Sequence, residues 1–145
     1  MPLKLPPHNN NVVIPHDHEE ILQEDGIIRR ISEEQVVFDE KIDGRRLSST
    51  AFKPSSGVNS GMSIDLQRQI EEAGLVAREF ITTPRWTGSI IFKAGDLRHE
   101  EFQVGYDPNP NNPFHGQVWG NFSNAKRKRL RGICTWFVPI ENVSI

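Results

Sequence analysis

The chain has 145 residues, of which 36% are hydrophobic and 25% charged, a composition that excludes an intrinsically disordered protein. Its formal net charge of −2 gives the whole molecule no overall attraction for nucleic acid or anionic lipid. The single cysteine, Cys134, excludes an internal disulfide, and no apolar run approaches the roughly 18 residues that a membrane span needs. We therefore expect a cytoplasmic protein with no membrane partner and no metal site.

Residues 1–16 include four prolines and a run of three asparagines, which predicts a flexible N-terminal arm with little order. Residues 17–145 fit one compact domain, because this length is close to the commonest domain size. Within it, strand-like and helix-like segments mix without a strict βαβ alternation. The sequence therefore predicts an α+β domain with a small mixed, mainly antiparallel sheet, an early β-hairpin and three or four short helices.

The first part of the predicted domain is acidic. Asp17 can cap a short helix, because glutamates follow it in the first turn and Gly26 stands where the helix would end. Residues 27–31 then predict a short strand. Ser32, with the two glutamates that follow it, predicts a turn or a single helical turn.

A β-hairpin is the clearest local prediction. Residues 35–42 and 45–52 are strand-like and are separated by Asp43-Gly44, a dipeptide that supplies the positive φ angles of a two-residue primed turn. The expected register pairs Ile42 with Arg45. It collects apolar side chains on one face of the hairpin, namely Val36, Phe38, Ile42, Leu47 and Ala51.

The remaining elements are predicted from capping residues and apolar runs. A polar loop at residues 53–61 precedes a helix that Ser63 or Asp65 caps and that Gly74 ends. Ser123 is expected to cap a helix that continues to about residue 132. The other predicted elements are strands at residues 89–93, 102–106, 115–120 and 135–140, a short helix or turn at 95–101 and a proline-rich loop at 107–113.

Arginine and hydroxyl side chains are concentrated on the first predicted strands. Guanidinium groups bind phosphate or carboxylate groups bidentately, and hydroxyls add hydrogen bonds to a ribose or a phosphate. The alternative is structural, with the arginines paired to the acids of residues 17–40. The candidate ligand-binding residues of this group are Arg29, Arg30, Arg45, Arg46, Ser48, Ser49 and Thr50.

An arginine on one strand, followed by a Ser-Ser-Thr strand and a helix, is similar to NAD-dependent ADP-ribosyltransferases, including the RES-domain toxins. The resemblance implies that Arg29 or Arg30 grips the phosphates of NAD and that Ser48 or Ser49 lines the pocket. NAD is a cofactor under this alternative only, and none is expected otherwise. The family's catalytic glutamate has no counterpart, because the glutamates before the predicted strand at 102–106 lack the usual motif.

A second candidate site lies at the proline-rich loop. A rigid loop that ends at His115 can present an imidazole at the edge of a sheet, where Asp107 can orient it as a general base. No serine or cysteine nucleophile accompanies this pair, because the apolar neighbours of Cys134 predict a buried, inert thiol. The structural alternative is a polar histidine on a surface loop. Trp86 is either a core anchor or an exposed binding aromatic, and the usual burial of tryptophan favours the core.

A third candidate site has five positive charges in six residues, within a segment that lacks acids from residue 123 to residue 140. On a helix these charges form an outward basic patch that can meet the phosphates of RNA or DNA. The segment has no aromatic platform, so base stacking is not indicated. The alternatives are a solvated surface or a contact with the acidic residues 17–25, which would also permit a homo-oligomer. The basic residues are Lys126, Arg127, Lys128, Arg129 and Arg131.

The chain also resembles a group of small uncharacterised bacterial domains over residues 27–140, which implies a bacterial origin. The resemblance lies in residues 29–31, 45–52, 62–65 and 107–115, in the basic helix and in the closing Trp-Phe-Val strand. No nucleophile with its base, no carboxylate pair and no phosphate loop is recognisable. We therefore expect a binding or accessory domain in a bacterial multi-protein system, with another protein as its partner. The alternatives are the ADP-ribosyltransferase-like enzyme and a nucleic-acid-binding module.

Overall fold

The computed structural model describes residues 3–145, has 24% helix and 32% strand, and confirms the α+β class. Among these residues, no helix combines the length and the apolar character that crossing a membrane requires. The strands are β1 (His8–Asn9), β2 (Val12–Val13), β3 (Gly26–Ile31), β4 (Val36–Asp39), β5 (Gly44–Leu47), β6 (Met62–Leu66), β7 (Gly88–Lys93), β8 (Gln103–Tyr106), β9 (His115–Trp119), β10 (Thr135–Val138) and β11 (Val143–Ser144). The helices are α1 (Gln67–Glu72), α2 (Ala77–Ile81), α3 (Ala94–His99) and α4 (Asn124–Ile133), with 3-10 turns at Glu33–Gln35 and Ser49–Phe52.

A six-stranded antiparallel sheet with the strand order β10-β7-β3-β6-β9-β8 organises the fold. The strand predicted at residues 27–31 is β3, which lies inside this sheet and pairs with β7 along its whole length. Successive side chains of a strand point to opposite faces of the sheet. Ile27 and Ile31 accordingly lie in the main core, whereas Ile28 packs with Ile70 of α1 and Ile81 of α2.

The predicted β-hairpin is present, but its register and its loop differ from the prediction. Val36 lies opposite Leu47, whereas we expected it opposite Ala51. The loop contains the four residues 40–43, because Asp43 has a positive φ of 47° but Gly44 already belongs to β5. A two-residue type I′ turn would need two residues with positive φ.

The longer loop changes which side chains of the hairpin are buried. Phe38 and Ile42 are 62% and 52% exposed, so the expected apolar face is not buried along its length. The second predicted strand also ends early, because Ser48 Oγ accepts a hydrogen bond from Thr50 N at 3.1 Å and thereby caps the 3-10 turn Ser49–Phe52. The Ser-Ser-Thr segment is therefore a cap and a turn, not a strand.

The N-terminal residues 3–16, which we expected to have little order, form the two-stranded hairpin of β1 and β2. Leu3 and Val13 are both buried, and Leu3 belongs to the main core. Residues 1 and 2 of the predicted arm lie outside the described residues. The proline-rich composition of the N-terminal segment does not indicate these apolar contacts.

The helix predicted at residues 17–26 is wrong, because turns occupy this segment up to the start of β3. Asp17 does not cap a helix. Its carboxylate accepts hydrogen bonds from Arg98 Nε at 2.8 Å and from Val104 N at 3.0 Å. Tertiary partners thus occupy the oxygen that would have capped the first helical turn.

The helix expected to start after Ser63 or Asp65 begins later, at Gln67, because residues 62–66 form β6. This strand pairs with β3 and β9 on either side. The other predicted strands, the short helix near residue 95 and the helix capped by Ser123 are confirmed to within two residues. The elements α2 and β11 were not predicted.

Candidate functional site

The basic residues of α4 divide between two flanks of the helix. Leu130 is fully buried and anchors the helix on the main core. On one flank, Lys126 Nζ lies 3.1 Å from a carboxylate oxygen of Glu101, and Arg129 Nη1 lies 3.4 Å from one of Glu100. The acidic partners of this flank therefore lie at the end of α3 and not in residues 17–25.

The other flank of α4 faces the hairpin across a groove of about 680 Å³. Three basic side chains of the helix and one of β5 line it, together with two hydroxyls of the segment after β5. We call this site the basic groove. Its lining residues are Val37, Arg46, Ser48, Ser49, Asn124, Arg127, Lys128, Arg131 and Ile145.

Two guanidinium groups converge in the basic groove. Arg46 Nη1 and Arg131 Nη1 each donate to the carbonyl oxygen of Leu47, both at 2.9 Å. Arg46 also donates to a carboxylate oxygen of Asp39 at 2.7 Å, whereas Arg131 lies over the ring of Phe52 at 5.3 Å. Burial lowers the pKa of Arg131, and the nearby charge of Arg46 lowers this pKa further. The two cations therefore repel each other across one neutral acceptor.

Several donors of the basic groove have no anionic partner. Within residues 3–145, no carboxylate lies within ion-pair distance of Arg127, Lys128 or Arg131. Arg127 Nη2 donates to the Asn124 side chain, but its Nε is buried without a hydrogen-bond partner. Ser48 Oγ accepts two hydrogen bonds from Thr50, which leaves its own O–H group free to donate.

A second site, which we call the polar cleft, lies beside the central strands and has a volume of about 430 Å³. Backbone pairing between β3 and β6 is confined to two residue pairs near Leu66, although both strands continue beyond them. Beyond these two pairs, polar side chains and not backbone hydrogen bonds occupy the space between β3 and β6. The lining residues are Arg29, Arg30, Ser55, Ser63, Ile64, Asp65, Arg85, Trp86, Asn112 and His115.

Arg29 connects the unpaired parts of the two strands. Its guanidinium donates to the carbonyl oxygens of Ala51 and Ser63 at 3.0 Å and of Lys53 at 3.5 Å. Burial lowers the pKa of Arg29 to about 10, so the group remains protonated at neutral pH. Arg29 therefore holds the 3-10 turn and the following loop against β6 and adds a positive charge to the cleft.

Arg30 is fixed by a bidentate ion pair with Asp65, whose residue is only 3% exposed. Arg30 Nε and Nη2 donate to the two carboxylate oxygens at 2.8 and 3.1 Å. Asn112 Nδ2 donates to the same carboxylate at 2.7 Å, and Asn109 Oδ1 in turn accepts from Asn112 N at 2.8 Å. The proline-rich loop thus delivers an amide that completes the hydrogen bonding of a buried carboxylate.

His115 stands on the same side of the cleft. Its Nδ1 lies 2.8 Å from the carbonyl oxygen of Asp107 and 3.6 Å from the Asp107 carboxylate. A carbonyl oxygen only accepts, so Nδ1 carries the proton and Nε2 is left as an acceptor. Gln117 Nε2 donates to the Asp107 carboxylate at 2.6 Å and holds it in place.

The structure divides the residues that we expected to share one pocket. Arg29 and Arg30 line the polar cleft, whereas Ser48 and Ser49 line the basic groove with Arg46. His115 joins Arg30 in the polar cleft. Of the expected pairings with the acids of residues 17–40, the structure contains Arg46 with Asp39 and Arg45 with Glu33.

Seven of the ten residues that line the polar cleft were not predicted as site residues, and four of the seven carry a charged, amide or aromatic side chain. Asp65 was interpreted as a helix cap, and Asn112 as part of a loop. Arg85 received no role, and Trp86 was expected in the core although it is only half-buried. No spacing signal in the sequence brings these four together, because they come from three separate segments.

Cys134 is buried, as predicted, and burial raises the pKa of its thiol to about 11. The imidazole nitrogens of His16 and His18 all lie within hydrogen-bond distance of backbone groups. The described part of the chain contains no group of three histidine, cysteine or acidic residues arranged to hold a metal ion.

Comparisons with protein-family models, with curated proteins and with solved structures return no match to this chain. We therefore infer the function from the geometry of the basic groove and of the polar cleft. The groove combines unpaired cations with hydroxyl donors, and the cleft combines fixed cations with a histidine acceptor. The two sites have no lining residue in common.

Proposed function

We propose that the protein is a binding domain that holds the phosphate backbone of a nucleic acid in the basic groove. The observation that carries this proposal is the convergence of Arg46 and Arg131 on one carbonyl oxygen. Arg127 and Lys128 stand beside them, and neither forms an ion pair with a carboxylate of residues 3–145. A phosphate placed between these cations relieves their mutual repulsion and accepts charge-assisted hydrogen bonds.

The lining of the groove favours the backbone over the bases as the recognised part. Its two apolar members, Val37 and Ile145, are aliphatic, and no aromatic side chain of the described part of the chain lines it. Binding of single-stranded bases normally uses aromatic stacking platforms, whereas phosphate contacts come from arginine, lysine and hydroxyl groups. We therefore expect binding that depends strongly on salt and weakly on sequence.

This proposal takes up the nucleic-acid-binding alternative in place of the expected protein partner. An acidic protein segment is the competing occupant of the groove, since carboxylates also pair with guanidinium groups. The ADP-ribosyltransferase-like alternative loses its main support. It requires Arg29 or Arg30 to share a pocket with Ser48 or Ser49, and these residues line separate sites.

The two flanks of α4 provide a matched test. Fluorescence anisotropy with a labelled DNA or RNA duplex measures the dissociation constant of the wild type, of Arg127→Ala/Lys128→Ala and of Lys126→Ala/Arg129→Ala. Both double variants lose two charges from the same helix, but only the first pair lines the groove. At about 0.1 M salt each lost phosphate contact should weaken binding by about tenfold.

We expect the groove variant to bind far more weakly than the wild type and the control variant to bind almost normally. Equal weakening in both variants would mean that the attraction is diffuse and does not come from the groove. Polyglutamate of matched charge serves as the competitor. If polyglutamate displaces the labelled duplex as effectively as unlabelled duplex does, an acidic protein partner is favoured and the proposal is contradicted. The absence of any binding of the duplex would also contradict the proposal.

A further inference from the structure

The polar cleft presents several polar groups that are available to a ligand. In the described residues, no hydrogen bond or ion pair involves the Arg85 guanidinium, the hydroxyls of Ser55 and Ser63, or His115 Nε2. Arg30 uses Nε and Nη2 on Asp65, which leaves its Nη1. Donors and an acceptor that converge on one concave site are the arrangement expected of a ligand-binding pocket.

The charge of the cleft selects an anionic ligand. Arg29, Arg30 and Arg85 bring three positive charges, and Asp65 is the one carboxylate among the described residues that lines it. Asp65 is already saturated by Arg30 and Asn112, so it offers little to a cation. The guanidinium groups in excess over this carboxylate are thus available to bind an acidic group of the ligand.

The sheet fixes the positions of several of these groups. Asp65 of β6 and His115 of β9 are direct cross-strand partners, as are Ser63 and Gln117. Direct partners in an antiparallel pair project from the same face, about 5 Å apart. These groups and Arg30 of β3 therefore stand on strands, which is the arrangement that preorganises a binding site. Arg85 and Trp86 join them from the loop between α2 and β7.

The histidine adds a requirement for a donor on the ligand. Because His115 Nδ1 donates to the Asp107 carbonyl oxygen, Nε2 accepts a hydrogen bond from a hydroxyl or N–H group. Trp86 supplies an apolar wall, with Arg85 over its ring at 4.9 Å. A ligand that satisfies all these groups carries an acidic group at one end and hydroxyls on a carbon skeleton.

We propose that the polar cleft binds a small organic phosphate that carries hydroxyl groups. The phosphate lies between Arg30 and Arg85, a hydroxyl donates to His115 Nε2, and the carbon skeleton packs against Trp86. The volume of the cleft, about 430 Å³, is in the range of small-molecule sites and too small for a polymer. The site is separate from the basic groove and its ligand is independent of the nucleic acid proposed there.

Ribose 5-phosphate is the probe, and NMR titration of the ¹⁵N-labelled protein is the measurement. The reporters are the Trp86 indole N–H, the Arg30 Nε–H and the imidazole nitrogens of His115. Ribose and sodium sulfate, added at matched ionic strength, separate the contributions of the hydroxyls and of the anion. We expect saturable shifts of all three reporters with ribose 5-phosphate and at least about tenfold weaker binding of either control compound.

Two variants test the assigned contacts, and one serves as their control. Arg85→Gln removes the exposed cation of the cleft, and His115→Asn keeps a donor for the Asp107 carbonyl while removing Nε2. Arg78→Gln is the matched control, because Arg78 lies over the Phe137 ring at 5.0 Å and does not line the cleft. Arg85→Gln and His115→Asn should each weaken binding of ribose 5-phosphate by about tenfold, and Arg78→Gln should leave it unchanged.

Three results would overturn the proposal. They are equal affinity for sulfate and ribose 5-phosphate, equal weakening by Arg85→Gln and Arg78→Gln, and no saturable shift at all. Arg127→Ala/Lys128→Ala should bind ribose 5-phosphate like the wild type. This variant distinguishes a failure in the polar cleft from a failure of the nucleic-acid proposal for the basic groove.

Discussion

Arg46 and Arg131 donate to the same carbonyl oxygen, that of Leu47, each at 2.9 Å. Like charges separated by one neutral acceptor raise the free energy of the site unless an anion joins them. Asp39 offsets the charge of Arg46, but the charges on the α4 side of the groove have no carboxylate partner in the described residues. The α4 side of the basic groove therefore carries positive charge that no carboxylate of the described residues neutralises.

Replacing Arg46 by Ala should raise the pKa of Asp39 toward its ordinary value. The hydrogen bond from Arg46, followed by that from the backbone of Lys41, lowers the pKa of this carboxyl. An NMR titration of the Asp39 carboxyl carbon measures the change. Arg45→Ala is the control, because Arg45 contacts Glu33 and not Asp39. An unchanged pKa of Asp39 in Arg46→Ala would contradict the observed ion pair.

The same ion pair sets the direction of a pH effect on stability. The pKa of Asp39 is lower in the folded protein than its ordinary value of about 4, so ionised Asp39 stabilises the fold above that pH. This contribution is lost as the pH falls through the folded pKa. The difference in unfolding free energy between about pH 6 and about pH 3 should therefore be smaller in Arg46→Ala. Urea unfolding at the two pH values measures it, and a larger difference in the variant would refute the assignment.

Replacing Asp65 by Ala should destabilise the fold by about 3 kcal/mol, because it leaves the partly buried Arg30 without its counter-charge and Asn112 without its acceptor. Urea denaturation at neutral pH measures the loss. Glu33→Ala is the control, since Glu33 and Arg45 form an exposed pair whose loss should change stability by only about 0.5 kcal/mol. Similar losses in the two variants would show that the Asp65 network is not a structural element of the cleft.

The thiol of Cys134 should react slowly in the native protein. Burial raises its pKa to about 11, so about one molecule in a thousand carries the thiolate at pH 8, against about a quarter for a free cysteine. Alkylation by iodoacetamide should accelerate about a hundredfold in denaturant. Because the folded pKa is the higher one, the contribution of this thiol to stability is complete below about pH 8.5 and is lost as the pH rises through 11. Fast native alkylation at pH 8 would contradict the burial.

Local signals in the sequence predict much of the fold. Ser123 caps α4 as expected, and the apolar run of β3 becomes a strand of the central sheet. The errors arise where tertiary contacts outweigh local preference. Asp17 binds Arg98 and Val104 instead of capping a helix, and Ser63 and Asp65 lie in a strand because β6 pairs on both sides.

The candidate sites are harder to predict from the sequence than the fold is. Arg46, Arg131 and His115, which the sequence singles out as candidates, all line concave sites. Their grouping could not be predicted, because Arg46 and Arg131 are far apart in the sequence and meet only when α4 packs beside the hairpin. Ser48 was placed on a strand, and its role as a turn cap moved the hydroxyls away from Arg30.

The salt dependence of duplex binding tests the nucleic-acid proposal most directly. If the four cations that line the groove each contact a phosphate, the logarithm of the association constant should fall with the logarithm of salt concentration with a slope of about −3.6. Arg127→Ala/Lys128→Ala should reduce the slope to about −1.8, whereas Lys126→Ala/Arg129→Ala should leave it near the wild-type value. A wild-type slope near zero, or the same slope in both variants, would contradict phosphate binding in the basic groove.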